Sequence, residues 1–431
     1  MKPSIKQITP YLTLKVIKTD KFKCERISIN FENKIDRRKM PLSLLAFSIL
    51  KRGTEKYATL KELNKKLDEL YATIISTNVQ RLGKNYLLGF SAEMLGSEYV
   101  DKNTDILRES LEIIHEMLYR PLLMDGFFLD KFVESEKDNM IDAINARINN
   151  PRAYALGRCV ETMYKDDEFS IEQLGNVDMV RSFTKEEATN EYRTIISSCP
   201  ITVFYIGSRD IDSIKDLITD IFNDDHSATA IREDNDVDFS IDTKRTKYVT
   251  ENMDISQGKL VLGFKSGINL TSTKDFYAML VFNEIFGGSP ISKLFLNVRE
   301  RLGLCYYCSS SYSVIKGAVI VSCGVEPSDK KKAQDEILKQ FKDIKKGKIS
   351  KEEFSSAIKS LLNGYSETYD YPSRIESFYE LRSAYYINDT VDDCKRKLLD
   401  ISIEDVIRVA NNIKLDTVYF LYGDGEGRTD D

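Results

Sequence analysis

Histidine is nearly absent from this chain of 431 residues: there are two, His115 and His226, 111 positions apart. A histidine-based catalytic metal site needs imidazoles brought together, most economically on one helix. Neither residue has another within helical reach, so the chain is not expected to build such a site on its own. His115 sits in Glu112-Ile113-Ile114-His115-Glu116, a helical stretch that suits a half-buried structural residue. His226 falls in a polar segment. An apolar run of 18 residues is also missing, which excludes a helical membrane span. The opening residues Met1-Lys2-Pro3-Ser4-Ile5-Lys6 lead into polar and charged positions, without the apolar core of a signal peptide. Excess positive charge is lacking too. The net charge is −6, where a protein that tracks nucleic-acid phosphates would carry a basic face. The seven cysteines are odd in number and scattered, which fits reduced thiols and a cytoplasmic location better than a disulfide framework.

What is present is an ordinary globular balance, 42% apolar and 30% charged, over a length that exceeds one hydrophobic core. Two regions carry the same order of elements. In the first, Cys24 to Phe31 reads as a strand with Ile27, Ile29 and Phe31 on one face. A helix from Leu42 to Leu50 follows, then Gly53-Thr54. Thr59 and Glu62 form a capping box that opens a second helix. Strands at Thr73 to Val79 and Asn85 to Ala92 come next, then helices, then a strand from Ile201 to Ile206. The second region repeats this from Lys259: strand, two helices, the strands Leu304 to Tyr312 and Ala318 to Cys323, several helices, and a closing strand at Val418 to Tyr422. The repeat predicts an α+β protein of two homologous halves, 1–223 and 247–431, each a mixed, mostly antiparallel sheet covered by helices. The polar stretch 224–246 is the expected linker.

Three motifs in the second half invite a chemical reading. Cys305-Tyr306-Tyr307-Cys308 has redox or metal spacing, but on a strand residues three apart point to opposite faces, which predicts buried apolar cysteines instead. A cysteine nucleophile would need a base partner, and none stands at a suitable spacing. Gly287-Gly288-Ser289-Pro290 lacks the preceding strand and following Lys-Ser/Thr of a phosphate loop and reads as a helix end and turn. Arg299, near a helix end, and Tyr306, on the next strand, converge across the Gly303 turn. A guanidinium and a phenol so placed can hold a peptide carbonyl or an anionic oxygen, although an ion-paired arginine and a core tyrosine are the default reading of such spacing.

The run from Phe286 through Gly287-Gly288-Ser289-Pro290-Ile291-Ser292-Lys293-Leu294-Phe295-Leu296-Asn297-Val298-Arg299-Glu300-Arg301-Leu302-Gly303-Leu304-Cys305-Tyr306-Tyr307 resembles the C-terminal-half signature of the insulinase/pitrilysin superfamily. Lys66-Leu67-Asp68-Glu69-Leu70-Tyr71-Ala72, and Gly175 after the Tyr154-to-Tyr164 helix, extend the likeness over nearly the whole chain, toward the YfmF-like non-catalytic group. The superfamily comprises inverted-motif zinc peptidases of two related halves that close as a clamshell. Active members carry His-x-x-Glu-His on the first long helix, before a Gly-Thr, and a further Glu ligand downstream. Aligned on Gly53-Thr54, Leu44 and Ser48 stand for the histidines and Phe47 for the base. Ala143, seven residues after Glu136, stands for the third ligand. The resemblance therefore implies no catalysis and no metal in this chain. It also implies that Arg299 and Tyr306 grip the substrate backbone, as an Arg and a Tyr seven apart do in the family. The expected function is a non-catalytic subunit of a heterodimeric processing peptidase, binding peptide and completing the chamber of a zinc-bearing His-x-x-Glu-His partner. The alternative is a structural assembly protein of the same fold that binds no peptide. Thiol alkylation, peptide binding and activity with and without a partner separate these readings.

Overall fold

The computed structural model describes residues 1–101, 103–222, 241, 243 and 245–423. Their contacts form two compact units. Unit 1 comprises Met1–Ile144, the described part of 171–235, and Tyr369–Ala384. Unit 2 comprises Asn145–Ser170, the described part of 236–368, and the described part of 385–431. The units thus differ from the contiguous stretches 1–223 and 247–431: Asn145–Ser170 belongs with unit 2 and Tyr369–Ala384 with unit 1. Most of 224–246, with His226, lies outside the described residues.

The strands of unit 1 are β1 (Ser4–Thr9), β2 (Leu12–Lys18), β3 (Cys24–Lys34), β4 (Ile74–Arg81), β5 (Asn85–Leu95), the short pair β6 (Leu123–Met124) and β7 (Phe127–Phe128), and β8 (Ile201–Gly207). Six of them form one sheet in the order β1-β2-β8-β3-β5-β4. Unit 2 holds β9 (Lys247–Asn252), β10 (Gly258–Lys265), β11 (Cys305–Ser313), β12 (Ala318–Val325) and β13 (Lys414–Tyr422), in the order β11-β12-β10-β13-β9. Read from the β4 and β11 edges, the two orders are the same, with β1 added in unit 1. In each sheet one pair is parallel, β2 with β8 and β9 with β13, and the others are antiparallel. The α+β class and the internal repeat predicted from the sequence are both present. The sequence reading did not find β1, β2 and β9.

Alternation explains how each sheet is covered. On β3, Ile27, Ile29 and Phe31 enter the main core of unit 1 with the buried face of the Lys39–Leu50 helix. Their neighbours Arg26, Ser28 and Asn30 face the other way and are also buried. A polar face of that kind needs a partner with matching charge. The Pro372–Ser383 helix supplies it, since Ile375, Glu376, Tyr379 and Glu380 form its buried stripe. Glu376 accepts from Arg26 Nε, from Ser28 Oγ and, at 3.3 Å, from Asn30 Nδ2. Glu380 accepts from Lys15 Nζ of β2 at 3.0 Å with both carboxylate oxygens. Ile375 and Tyr379 pack on Ile17, Phe204 and Ile206 between these charges. In unit 2 the Pro151–Met163 helix plays the corresponding part. Its Ala155, Cys159 and Met163 pack on Val261, Ile320 and Tyr419, and Tyr154 and Arg158 bind Glu251. Gly263 has no side chain because Met163 Sδ lies 2.1 Å from where a Cβ would stand.

Lys15 and Glu380 have side chains only 2% and 3% exposed, so each depends on the other for its charge. Glu380→Ala leaves a buried ammonium without a counter-ion and should cost about 3–5 kcal/mol. The double substitution Lys15→Met with Glu380→Leu should recover most of that loss, because a buried ion pair is often no better than apolar packing. Urea denaturation of both variants measures the difference.

Candidate functional site

The positions aligned with zinc ligands fall in unit 1 on two helices. Leu44, Phe47 and Ser48 are on Lys39–Leu50, and Ala143 is on Asp130–Ile148. Leu44 is buried, Ser48 half-buried and Ala143 exposed. Phe47 is fully buried and packs against Phe31 and Phe90, with ring centroids 5.9 and 5.6 Å away. This set offers no imidazole, carboxylate or thiolate, and its one hydroxyl is a poor lone donor for Zn2+. The residues do not fit a zinc ion. Nearby, Glu136 forms an ion pair with Arg52, which also donates to Ser135 Oγ at 3.1 Å. These contacts tie the end of the first helix to the long one. His115, on the Ile106–Tyr119 helix, is stacked 5.1 Å from Tyr119 and meets Phe222 edge-on at 5.2 Å. A cleft of about 480 Å3 in unit 1 is lined by Glu32, Lys34, Asp36, Tyr86 and Glu191 among others, and by none of these sequence-derived positions.

Arg299 and Tyr306 both belong to unit 2, one before and one after the Gly303 turn. A helix with wide, π-type winding spans Leu294–Arg301, anchored by buried Leu294 and Val298. The chain then reverses at Gly303, whose φ of +58° favours glycine. Gly303 N–H donates to Arg299 C=O at 3.1 Å and Leu304 N–H to Val298 C=O at 3.1 Å, closing the helix end. β11 starts two residues later. Against β11 packs the Glu284–Gly288 turn, where Gly287 lies so close that a Cβ would meet Ser310 N at 2.6 Å. Arg299 lies over the Phe295 ring at 4.7 Å and faces Glu300 at 3.5 Å, with its side chain 41% exposed. Tyr306 is 67% exposed. The charge of Arg299 acts on Cys305, the residue before Tyr306.

The register of β11 corrects one expectation. Tyr307 pairs with Gly324 and Cys308 with Cys323, but Cys305 pairs with Val325, so Tyr306 is an extra residue in a β-bulge. The bulge reverses the alternation. Cys305 and Cys308 therefore share a face, contrary to the opposite faces predicted by regular pleating. Their sulfurs and that of Cys323 lie within 4.8 Å of one another, and all three residues are buried. Among the described residues, these are the His, Cys, Asp and Glu side chains grouped closely enough to hold an ion. Hydrogen bonds from the Cys308 and Cys323 thiols, together with the charge of Arg299, hold the Cys305 pKa well below that of an ordinary thiol. The same contacts push Cys308 up.

A family model described as the peptidase M16 inactive domain matches residues 182–361. A probable inactive metalloprotease of Bacillus subtilis, YmfF, is 28% identical over 96% of both chains. A crystal structure of a conserved Enterococcus faecalis protein superimposes with a TM-score of 0.89 at 22% identity, covering 99% of this chain and 100% of that one. A peptidase M16 inactive domain from Pseudomonas fluorescens gives 0.77 at 14% identity over 98% of each.

Phe47→Glu tests whether the base position is closed to chemistry. It removes a ring from a packed aromatic cluster and places a carboxyl there, so it should cost at least about 3 kcal/mol at neutral pH. Burial raises the pKa of such a carboxyl, so the folded state would hold the proton longer. The loss should therefore grow as pH rises above about 4.3, the ordinary glutamate value, and shrink below it. Denaturation midpoints across pH read both effects.

Proposed function

We propose a role that follows from one premise: this chain belongs to the insulinase/pitrilysin (M16) peptidase family and is one of its inactive homologues. It serves as the non-catalytic subunit of a heterodimeric processing peptidase. A homologue carrying His-x-x-Glu-His supplies the zinc and the base, and this chain holds the peptide. The observation that carries the reading is the exposed pair Arg299 and Tyr306, set on either side of the Gly303 turn at the start of an edge strand. A guanidinium presents five N–H donors and a phenol one O–H, which suits the carbonyl oxygens of an extended backbone. β11 is hydrogen-bonded to β12 on one side and ends the sheet on the other. An extended peptide can add to such an edge and be held by its backbone. Phe295 under the guanidinium, and the buried Leu294 and Val298 behind it, limit how far Arg299 can wander.

The chain should be purified alone and together with a His-x-x-Glu-His homologue encoded beside it. The isolated chain should cleave nothing, and the pair should cleave extended peptides. Arg299→Ala and Tyr306→Phe should each lower kcat/KM of the pair about 10-fold, the worth of one lost substrate hydrogen bond, with the complex still intact on size exclusion. Cleavage by the isolated chain would overturn the reading. Full activity of the doubly substituted pair would leave the assembly role in place of peptide holding.

A further inference from the structure

We propose that Cys305, Cys308 and Cys323 form a three-thiolate site for a thiophilic d10 metal ion, filled best by Cu(I). Cys308 and Cys323 are directly opposed on β11 and β12, and the bulge at Tyr306 turns Cys305 onto their face. All three sulfurs lie within 4.8 Å of one another. An ion about 2.3 Å from each sulfur, in their plane, needs edges of roughly 4 Å, so shifts below about 1 Å complete the triangle. The cross-strand partner of Cys323 on β10 is Leu260, and Phe264 lies farther along the same face. Phe264 packs against Phe341 with ring centroids 5.0 Å apart, so an apolar layer covers this face and keeps water from competing with the thiolates. Cys305, on the edge strand and 9% exposed, is the side from which an ion enters.

The donor set chooses the ion. Thiolates select soft ions such as Cu(I) and Zn2+ over hard ones. No histidine, carboxylate or fourth cysteine joins the group among the described residues. Zn2+ almost always takes four ligands in structural sites, whereas Cu(I) is content with three thiolates. Charge agrees with this. Three thiolates and one Cu(I) carry a net charge of −2, and Arg299 beside Cys305 and Lys259 beside Cys323 place positive potential there. On binding, each cysteine that still carries a proton loses it to solvent, and three metal–sulfur bonds form; no oxidant is needed. Two of the ligands bracket Tyr306, so an ion would fix the bulge that projects it. The site does not depend on peptide holding.

The test uses the full chain, reduced and metal-free, titrated with Cu(I) alone and with Zn2+ alone against a competing chelator. One Cu(I) per chain should bind, with thiolate-to-copper charge-transfer absorption and a three-sulfur shell in X-ray absorption. Cys305→Ser, the mildest change because this cysteine is the least buried of the three, should weaken Cu(I) binding by at least about 100-fold. Cys308→Ser and Cys323→Ser should do the same where circular dichroism shows them folded. Cys24→Ser, at an exposed thiol outside the cluster, should change nothing. Unaltered Cu(I) affinity in folded Cys305→Ser, or no stoichiometric binding by the reduced chain, would overturn the site. Zn2+ held more tightly than Cu(I) would overturn its assignment to a three-coordinate ion.

Discussion

Two buried carboxylates, Glu376 and Glu380, satisfy the charged and polar face of the sheet in unit 1. The sheet of unit 1 buries both faces, and the second face carries Lys15, Arg26, Ser28 and Asn30. Without acceptors, those donors would each cost free energy that no amount of nearby apolar packing returns. One helix from far along the chain answers all four, and it packs Ile375 and Tyr379 into the gaps. This requirement explains why the compact units are not contiguous in sequence. A strand order shared by both units is not enough to fold either one; each also needs a helix for its far face. In unit 2 the balance differs, because Val261, Ile320 and Tyr419 receive an apolar helix face and Glu251 collects polar contacts from Tyr154, Arg158 and Tyr419.

How far the sequence was legible follows from this chemistry. Apolar alternation and capping boxes announce themselves, so β3, β10 and the helix begun by Thr59 were readable one at a time. The Pro372–Ser383 helix is opaque by the same measure. Its buried stripe alternates isoleucine, glutamate, tyrosine and glutamate, so no apolar face stands out and nothing local says which sheet it will cover. β1 and β2 hide for a related reason: Lys6 and Lys15 interrupt the pattern, and the burial of Lys15 is legible only once Glu380 is placed beside it.

The candidate sites divide along the same line. The helix end, glycine and strand start around Arg299 and Tyr306 were legible because they are local signals. The cysteine cluster was half legible. A turn from Ser313 to Ala318 sets a hairpin register in which Cys308 faces Cys323, and that much is arithmetic on the sequence. The bulge is not arithmetic. Tyr306 goes outward as an extra residue, and the parity of every position before it changes. A single inserted residue thus converts a Cys-x-x-Cys that regular pleating would split into one that converges, and it leaves a tyrosine exposed at the sheet edge. Two features that the sequence presents as unrelated share one backbone cause.

The same logic separates what this fold has absorbed from what it carries. At the base position, Phe47 has become part of the core, and the aromatic contacts with Phe31 and Phe90 make the position useful for stability and hostile to a carboxylate. Arg299 and Tyr306 stand in the opposite relation to folding. An exposed arginine facing its sequence neighbour Glu300 contributes at most about 1 kcal/mol, and a tyrosine two-thirds exposed buries little surface. Core packing and ion pairing, the two ordinary structural reasons for such residues, account for neither.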